Sequence, residues 1–274
     1  MDVFALSEGA GPLVVSMPHS GTSIPVELHD SWPQRLAPPA STMPDTDWHI
    51  PELYDFLSGL DASVIRANYS RYIIDLNRDP SGQSLYPGQA TTGLVPMELF
   101  DGAPVYRSGH EPDAGEIEQR RQRYHTPYHQ ALTDQIARVK ARHGYALLWD
   151  AHSIASLVPR LFEGRLPDLN LGTNTGRSCA PQVQAAAEAA MVAEGNYKTI
   201  SNGRFKGGWI TRHYGQPQEH VHALQMEIAQ IAYMQEGAPF QFDEAKAQRL
   251  RPVLLSIIQA ALSAAQALYA GDIL

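Results

Sequence analysis

The sequence predicts one α/β domain over residues 1–274, built on a mixed central sheet with helices on both faces. Apolar runs typical of buried strands alternate with segments of helical character, which is the pattern of layered α/β proteins. The chain has 274 residues and 43% apolar content, enough to bury one sizeable core. No internal repeat or low-complexity tract divides it, so nothing in the sequence requires a second domain.

Two apolar runs predict strands that lead to histidines. Residues 12–17 run up to His19, and residues 145–149 run up to His152. In open α/β sheets, ligands bind in the crevice beyond the carboxyl ends of the strands. We therefore expect the two histidines to share one site.

A third strand-like segment carries polar side chains at its ends. Residues 70–80 have an apolar centre with Arg71 on one side and Asn77-Arg78 on the other. Guanidinium groups bind carboxylates through two parallel hydrogen bonds, and an Asn amide adds a directional neutral donor. These side chains together are therefore suited to binding an anion and polarising a carbonyl. The alternative is an edge strand with solvated arginines.

Glu227 is the one acidic residue of the apolar run 222–228. On a strand it points to the opposite side from its neighbours Met226 and Ile228. Beside a metal-bound water it would act as a general base and then as a general acid. The alternative, an exposed strand glutamate, is disfavoured by the apolar surroundings.

The remaining segments predict helices and long loops. Residues 115–143 form the clearest helix, with acidic residues early, basic residues late, Gly144 as a stop and Pro127 as the point where it bends or divides. Residues 181–194 predict an Ala-rich helix, and residues 243–270 predict one or two more. The Gly- and Pro-rich segments 80–112 and 197–215 are expected to be long loops that close over a ligand.

A histidine pair inside the long helix has the spacing of a helical metal site. His125 and His129 are four residues apart, but Thr126 stands where the metalloprotease signature has Glu, and Pro127 disturbs the turn. The failed signature indicates that the two histidines pack on a helix face rather than bind metal. We expect His129 to be the closer of the two to a substrate.

The pairing of His19 with His152 predicts a metal, because a catalytic zinc commonly takes two imidazoles and a carboxylate and leaves a position for water. The carboxylate is Asp45 or Asp47, and one of them would cap the helix that follows. We favour Asp47 as the ligand, and Asp45 stays open as the alternative.

The formal net charge of -8 argues against nucleic acid or an anionic membrane as a partner. No apolar stretch approaches membrane-spanning length and no export signal is evident, so a soluble, cytoplasmic protein is expected. Its single cysteine, Cys179, suits a reducing compartment. An anionic substrate would be attracted locally, by basic side chains: Arg71, Arg78, and Arg204, Lys206 or Arg212.

Six motifs, in order along nearly the whole chain, resemble the N-formylglutamate amidohydrolase family. They are Pro18-His19-Ser20-Gly21, Asp45-Thr46-Asp47-Trp48, Asp75-Leu76-Asn77-Arg78-Asp79-Pro80, Asp150-Ala151-His152-Ser153, Phe205-Lys206-Gly207-Gly208 and Gln225-Met226-Glu227-Ile228. The family is similar to zinc carboxypeptidases and aspartoacylases. The resemblance implies a zinc-carboxypeptidase-like fold and hydrolysis of N-formyl-L-glutamate to formate and L-glutamate, the last step of one route of histidine degradation.

The resemblance also implies residue roles. One divalent metal, zinc, would be bound by His19, Asp47 and His152. Glu227 and Arg71 would be catalytic, as general base and as donor to the scissile carbonyl. The substrate carboxylate would be held by Asn77 and Arg78. Lys206 and Arg212 are predicted as further substrate contacts from their charge rather than from the resemblance. The wider zinc group takes a ligand from a His-x-x-Glu turn, whereas Thr22 stands three residues after His19 here; Asp47 is the expected replacement.

Two alternatives remain at this point. One is a related zinc amidohydrolase or carboxypeptidase-like enzyme that acts on another N-acyl acidic amino acid or on a peptide. The other is a non-catalytic protein that binds an acidic amino acid without metal. The sequence leaves the native metal and the oligomeric state open.

Overall fold

A seven-stranded mixed sheet forms the centre of the computed structural model, which describes residues 1–83, 92–193 and 195–270. The order across the sheet is β1-β3-β2-β4-β7-β5-β6. Strands β3, β2, β4 and β7 are mutually parallel, while β1 and β5 run antiparallel to their inner neighbours. The predicted mixed α/β fold is confirmed. The strands are β1 (Phe4–Ser7), β2 (Leu13–Met17), β3 (Ser63–Ala67), β4 (Ala146–Ile154), β5 (Leu169–Gly172), β6 (Thr199–Ser201) and β7 (Val221–Ala229).

Seven α-helices and several shorter turns lie around this sheet in the described residues. The α-helices are α1 (Trp32–Arg35), α2 (Ile50–Leu53), α3 (Ala114–Arg120), α4 (Thr126–His143), α5 (Pro181–Ala193), α6 (Trp209–Tyr214) and α7 (Glu244–Tyr269). One turn of π-helix, Arg121–His125, joins α3 to α4. The 3₁₀ helices are Val26–Leu28, Pro38–Thr42, Asp55–Leu60, Pro217–Glu219 and Gln230–Ala232.

The ends of the longer helices follow the chemistry of their sequences. The carboxylate of Asp113 accepts the backbone N–H of Glu116 at the start of α3, and Asp243 accepts that of Lys246 at the start of α7. Gly144 ends α4 with a φ of 77°, a left-handed conformation that glycine adopts without strain. The helix predicted over 115–143 is therefore present, divided by the π-turn just before Pro127 as its sequence indicated.

The sheet is buried on both faces. Successive residues of β2 belong to opposite core clusters, Leu13 and Val15 to one and Val14 to the other. Helices α5 and α7 supply side chains to the first cluster, and α4 supplies side chains to the second. Because every residue of β4 and β7 is buried, these two central strands provide a rigid base for groups near their carboxyl ends.

Three expectations about elements need correction. Residues 70–80 are not a strand, because the strand of this region, β3, ends at Ala67. Backbone carbonyls in residues 70–80 are bound by side chains rather than by a neighbouring strand. The strand predicted to break at Asp150 continues to Ile154, since β7 pairs with it along its whole length. The segment 197–215 is not one loop, because it contains β6 and α6. Parts of the predicted loop 80–112 (residues 84–91), and Glu194, lie outside the described residues.

Among the described residues, α7 is long and apolar enough to cross a membrane by length and composition, contrary to the sequence-based expectation. One face of α7 is buried in the core beside α5, through residues that include Leu250, Leu254 and Ile257. The core helix of a globular protein passes the same test, so this is weak evidence for a membrane span.

Candidate active site

Parallel strands bring the predicted site residues to one edge of the sheet. His19 follows the end of β2, and His152 lies near the end of the adjacent strand β4. Glu227 on β7 is in direct register with His152. The loop that carries Asp47 is joined to this edge because the Asp47 backbone N–H donates to the His19 carbonyl at 3.1 Å. Four residues that are distant in sequence are therefore neighbours.

His19, Asp47 and His152 form a buried cluster with the geometry of a metal site. Each offers one ligand atom, and these atoms lie within 4.8 Å of one another. Asp47 Oδ2 is 3.1 Å from His152 Nδ1 and 3.7 Å from His19 Nδ1. Two imidazoles and one carboxylate are the donor set of a catalytic zinc with an open position. The three residues therefore fit a divalent metal.

Asp45 does not join this cluster. Its Oδ2 atom accepts the backbone N–H of Phe100 at 3.0 Å. Burial raises the pKa of Asp45 to about 6, although the nearby Arg71 charge opposes this. Of the two aspartates that the sequence left open, only Asp47 lies with both histidines.

The far side of each histidine ring faces a second carboxylate. His19 Nε2 is 2.7 Å from Asp75 Oδ1, and His152 Nε2 is 3.0 Å from Asp150 Oδ1. When a histidine binds metal through Nδ1, its proton stays on Nε2, and a carboxylate there fixes the ring orientation. Asp150 Oδ1 is buried and has no hydrogen-bond partner within the described part of the chain, so a proton on the nearby His152 Nε2 would meet an acceptor that is not otherwise used.

The electrostatics of the cluster follow from burial and close charges. Burial works to raise the pKa of Asp47, but hydrogen bonds with His152 and His19 hold it below its usual range. Burial also raises the pKa of Glu227 to about 8, although the nearby His152 charge opposes this. A carboxyl group with a pKa near neutrality is suited to exchanging a proton. A cation beside it would favour its ionised form.

Arg71 lies against the cluster through shared carboxylates. Its guanidinium donates to Asp75 Oδ2 at 2.7 Å and lies 3.8 Å from Asp47 Oδ1. It also covers the ring of Phe100, at 4.8 Å from the centroid. Asp75 is thus bound by His19 through one oxygen and by Arg71 through the other, which joins the metal cluster to the arginine.

Asn77 and Arg78 line the same cavity. The Asn77 side chain accepts the backbone N–H of Ile210 at 2.8 Å, which places its amide nitrogen 3.0 Å from His152 Nε2. When metal is bound at Nδ1 and Nε2 carries the proton, both groups are donors, so this contact is not a hydrogen bond in that state. Arg78 donates to the carbonyl and hydroxyl oxygens of Thr92 and lies 3.7 Å from Asp75. These contacts fix the direction of both side chains within the cavity.

The cavity above the cluster has a volume of about 200 Å³ and is lined by polar and apolar groups. Its lining includes every predicted catalytic and metal-binding residue. Two further arginines, Arg160 and Arg204, line it as well. Lys206 and Arg212, predicted as substrate contacts, are not among the lining residues, and the Nε of Arg212 donates to the Gly207 carbonyl.

Several residues of this site were not predicted from the sequence to have a role. Asp150 had a usable signal, because residues two apart on a strand share a face, and Asp150 precedes His152 by two. Asp75 lies in an irregular segment where no such periodicity applies. Phe100 and Arg160 come from distant loops and gave no local signal.

Gly208 packs directly against the Asn77 side chain. A Cβ at this position would lie 2.3 Å from Asn77 Nδ2. The backbone N–H of Gly208 also donates to Gln225 Oε1 at 2.6 Å, so the segment cannot easily move away. The close approach explains why a residue without a side chain stands here.

We expect Gly208→Ala to lower kcat/KM about tenfold or more, because displacing an active-site group by about 1 Å can cost about 100-fold. Gly59→Ala is the matched control, since a Cβ at Gly59 meets nothing within 4 Å. Steady-state kinetics on both variants check this. Equal kinetics in the two variants would show that the Asn77 position is unimportant.

Comparisons with known proteins find relatives that match along nearly the whole chain. A family model described as N-formylglutamate amidohydrolase matches residues 11–234. The chain is 49% identical over 269 residues to an N-formylglutamate deformylase of Pseudomonas aeruginosa, covering 98% of this chain and 99% of that one. It is 46% identical over 261 residues to an N-formylglutamate deformylase of Pseudomonas putida, covering 95% and 96%.

Solved structures show the same fold. The crystal structure of an N-formylglutamate amidohydrolase from Ralstonia eutropha superposes with a TM-score of 0.78 at 27% identity, covering 99% of this chain and all of that one. A gene product of Agrobacterium tumefaciens superposes with a TM-score of 0.69 at 16% identity, covering 96% of each chain, and shows the fold alone.

Proposed function

Because this chain belongs to the N-formylglutamate amidohydrolase family, we propose that it hydrolyses N-formyl-L-glutamate to formate and L-glutamate. The near full-length similarity to the two Pseudomonas deformylases carries the proposal. The site supports it, since a buried metal-binding cluster opens on a cavity lined by arginines that suit an anionic substrate.

The metal in this proposal is zinc, held by His19, Asp47 and His152. Zinc bound there would leave a position for water and lower the pKa of that water toward neutrality. A hydrogen bond with Asp75 directs the His19 ring for this role, and Asp150 Oδ1 lies 3.0 Å from His152 Nε2, where it can accept the proton of that ring.

The remaining roles belong to side chains of the cavity. Glu227, whose strand position is opposite His152, takes the proton of the attacking water and returns it to the departing amine nitrogen. Arg71 donates to the formyl oxygen as charge develops on it, and its own direction is fixed by Asp75.

The two carboxylates of the substrate require cationic partners. Asn77 and Arg78 hold one of them in this proposal. For the second we assign Arg160 and Arg204, because they line the cavity whereas Lys206 and Arg212 do not. Each carboxylate would then meet a planar guanidinium, which binds it through two hydrogen bonds.

The assignment of Arg71 and Arg78 to different roles predicts different kinetic effects. Arg71→Lys keeps the positive charge beside Asp75 but loses the planar guanidinium with its several N–H donors. Because the lost donor acts mainly in the transition state, kcat should fall about 100-fold with little change in KM. Arg78→Lys should mainly raise KM, because it weakens a contact present before and during the reaction. Steady-state kinetics on formylglutamate check this, and a pure KM effect in Arg71→Lys would make Arg71 a second carboxylate contact.

The function itself is tested with purified protein and three substrate classes. We expect formate release from N-formyl-L-glutamate, with far slower hydrolysis of N-acetyl-L-aspartate and short peptides, and about one zinc per chain by elemental analysis. Faster hydrolysis of another class would move the activity to a related amidohydrolase. Protein that binds L-glutamate without metal and without turnover would be a binding protein.

A further inference from the structure

One face of the helical segment 114–143 donates hydrogen bonds to the chain segment that carries the substrate donors. Arg120 Nη1 donates to the Ile73 carbonyl at 3.0 Å. His129 Nε2 is 2.8 Å from the Leu76 carbonyl, and His125 Nε2 is 3.0 Å from the Arg78 carbonyl. The three donor residues are all buried. Their acceptors span the turn that includes Asn77.

The π-turn brings these donors to the same side. Arg120 and His125 are five residues apart, and in a regular α-helix that spacing would point them about 140° apart. Here the Thr126 N–H donates to the Arg121 carbonyl, the wider spacing of a π-turn. Pro127 has no N–H to donate to the carbonyl four residues earlier, which favours the wide turn.

The two histidines act as fixed donors to these carbonyls. The ring of His129 lies between two partners, because its Nδ1 is 3.0 Å from the Tyr214 hydroxyl and its Nε2 faces the Leu76 carbonyl. Burial lowers the pKa of His125 and of His129 below the usual value. Since a carbonyl only accepts, each neutral ring must carry its proton on Nε2.

Within the residues that the structure describes, the segment that they hold pairs with no strand. Residues 71–80 form turns, so no sheet ladder sets the direction of Asn77 and Arg78. His125 and His129 bind the carbonyls on either side of Asn77, and their rings pack at a centroid distance of 4.1 Å. The helix side chains therefore hold the backbone around Asn77, in addition to the contacts that the Asn77 and Arg78 side chains make with Ile210 and Thr92.

We propose that His125 and His129 are positioning residues for substrate recognition, which hold the backbone on both sides of Asn77 so that Asn77 and Arg78 meet a substrate carboxylate. The inference rests on the proposed function, since it needs the carboxylate role of Arg78. Neither histidine is among the residues that line the cavity.

The test compares His129→Leu, which removes the donor, with His129→Gln, whose amide can donate from a similar position. His143→Leu is the matched control, because His143 on the same helix donates to the Ala10 carbonyl at 2.7 Å, a bond of the same kind away from the site. For each variant we would measure kcat and KM on formylglutamate, the inhibition constant of L-glutamate, zinc content and Tm.

We expect His129→Leu to raise both KM and the inhibition constant about 3- to 10-fold, as loss of one such hydrogen bond implies, with zinc retained. His129→Gln should lie closer to the wild type, and His143→Leu should change Tm alone. If His129→Leu lowers Tm as His143→Leu does and leaves both constants unchanged, the inference is overturned. A wild type that releases no formate would instead overturn the proposed function. If His129→Leu does not fold, His125→Leu and His125→Gln are compared instead. KM and the inhibition constant should rise in His125→Leu and lie closer to the wild type in His125→Gln, and unchanged constants in His125→Leu would overturn the inference.

Discussion

Asp47→Asn should abolish both bound zinc and turnover, whereas Asp45→Asn should keep the metal. The two aspartates are both buried and only two residues apart, but they face different partners. Asp47 Oδ2 lies between the Nδ1 atoms of His19 and His152, while Asp45 Oδ2 accepts the backbone N–H of Phe100.

The physical reason is the loss of a charged ligand without a change of shape. An amide oxygen has no formal charge, so Asp47→Asn would leave a divalent cation with two neutral imidazoles and no anionic ligand. Residues that only orient a ligand typically cost about 10- to 100-fold in affinity when replaced, and loss of a ligand itself should cost more. In Asp45→Asn the amide oxygen can still accept the Phe100 N–H.

Elemental analysis after dialysis, beside formate release, measures both effects. Circular dichroism shows whether each variant is folded, and the isosteric substitutions make the pair directly comparable. Stoichiometric zinc in Asp47→Asn would refute its role as a ligand. Loss of zinc from Asp45→Asn alone would exchange the two assignments.

Much of the fold could be predicted because its signals are local. Residues 12–17 and 181–194 match a strand and a helix of nearly the same bounds, since burial on both faces and Ala-rich helical character are visible in a short window. Residues 70–80 misled this reasoning, because their apolar side chains are buried in an irregular segment held by Arg120, His125 and His129.

The pairing of the two histidines of the candidate metal site could also be predicted from local patterns. His19 and His152 each follow a strand-like run, and they lie near the carboxyl ends of adjacent parallel strands. The preference for Asp47 over Asp45 agrees with this site, but the sequence left Asp45 open because side-chain directions in the loop depend on the distant Phe100. The basic side chains that contact the substrate were harder still to predict. Lys206 and Arg212 have suitable charges, but only the tertiary fold decides which basic side chains reach the cavity.

Glu227→Gln should lower kcat about 100- to 10,000-fold, the range expected when a general acid–base group is lost, and should leave zinc in place. None of the three residues of the candidate metal site is altered by this change. Folding should be preserved, because burial already favours the neutral form of Glu227, whose pKa is raised to about 8, and Gln has the same shape.

The acid limb of the pH–rate profile distinguishes this role from a purely structural one. If Glu227 must be ionised to accept the proton of water, activity of the wild type falls as the pH decreases through its pKa, and Glu227→Gln loses that limb from its residual activity. Glu236→Gln is the control, because Glu236 binds the backbone N–H groups of Ser156 and Ile231 and should affect stability rather than kcat. A Glu227→Gln variant that retains zinc and a large part of the wild-type kcat would place the general base elsewhere. Proton transfer would then have to be assigned to another group of the cavity.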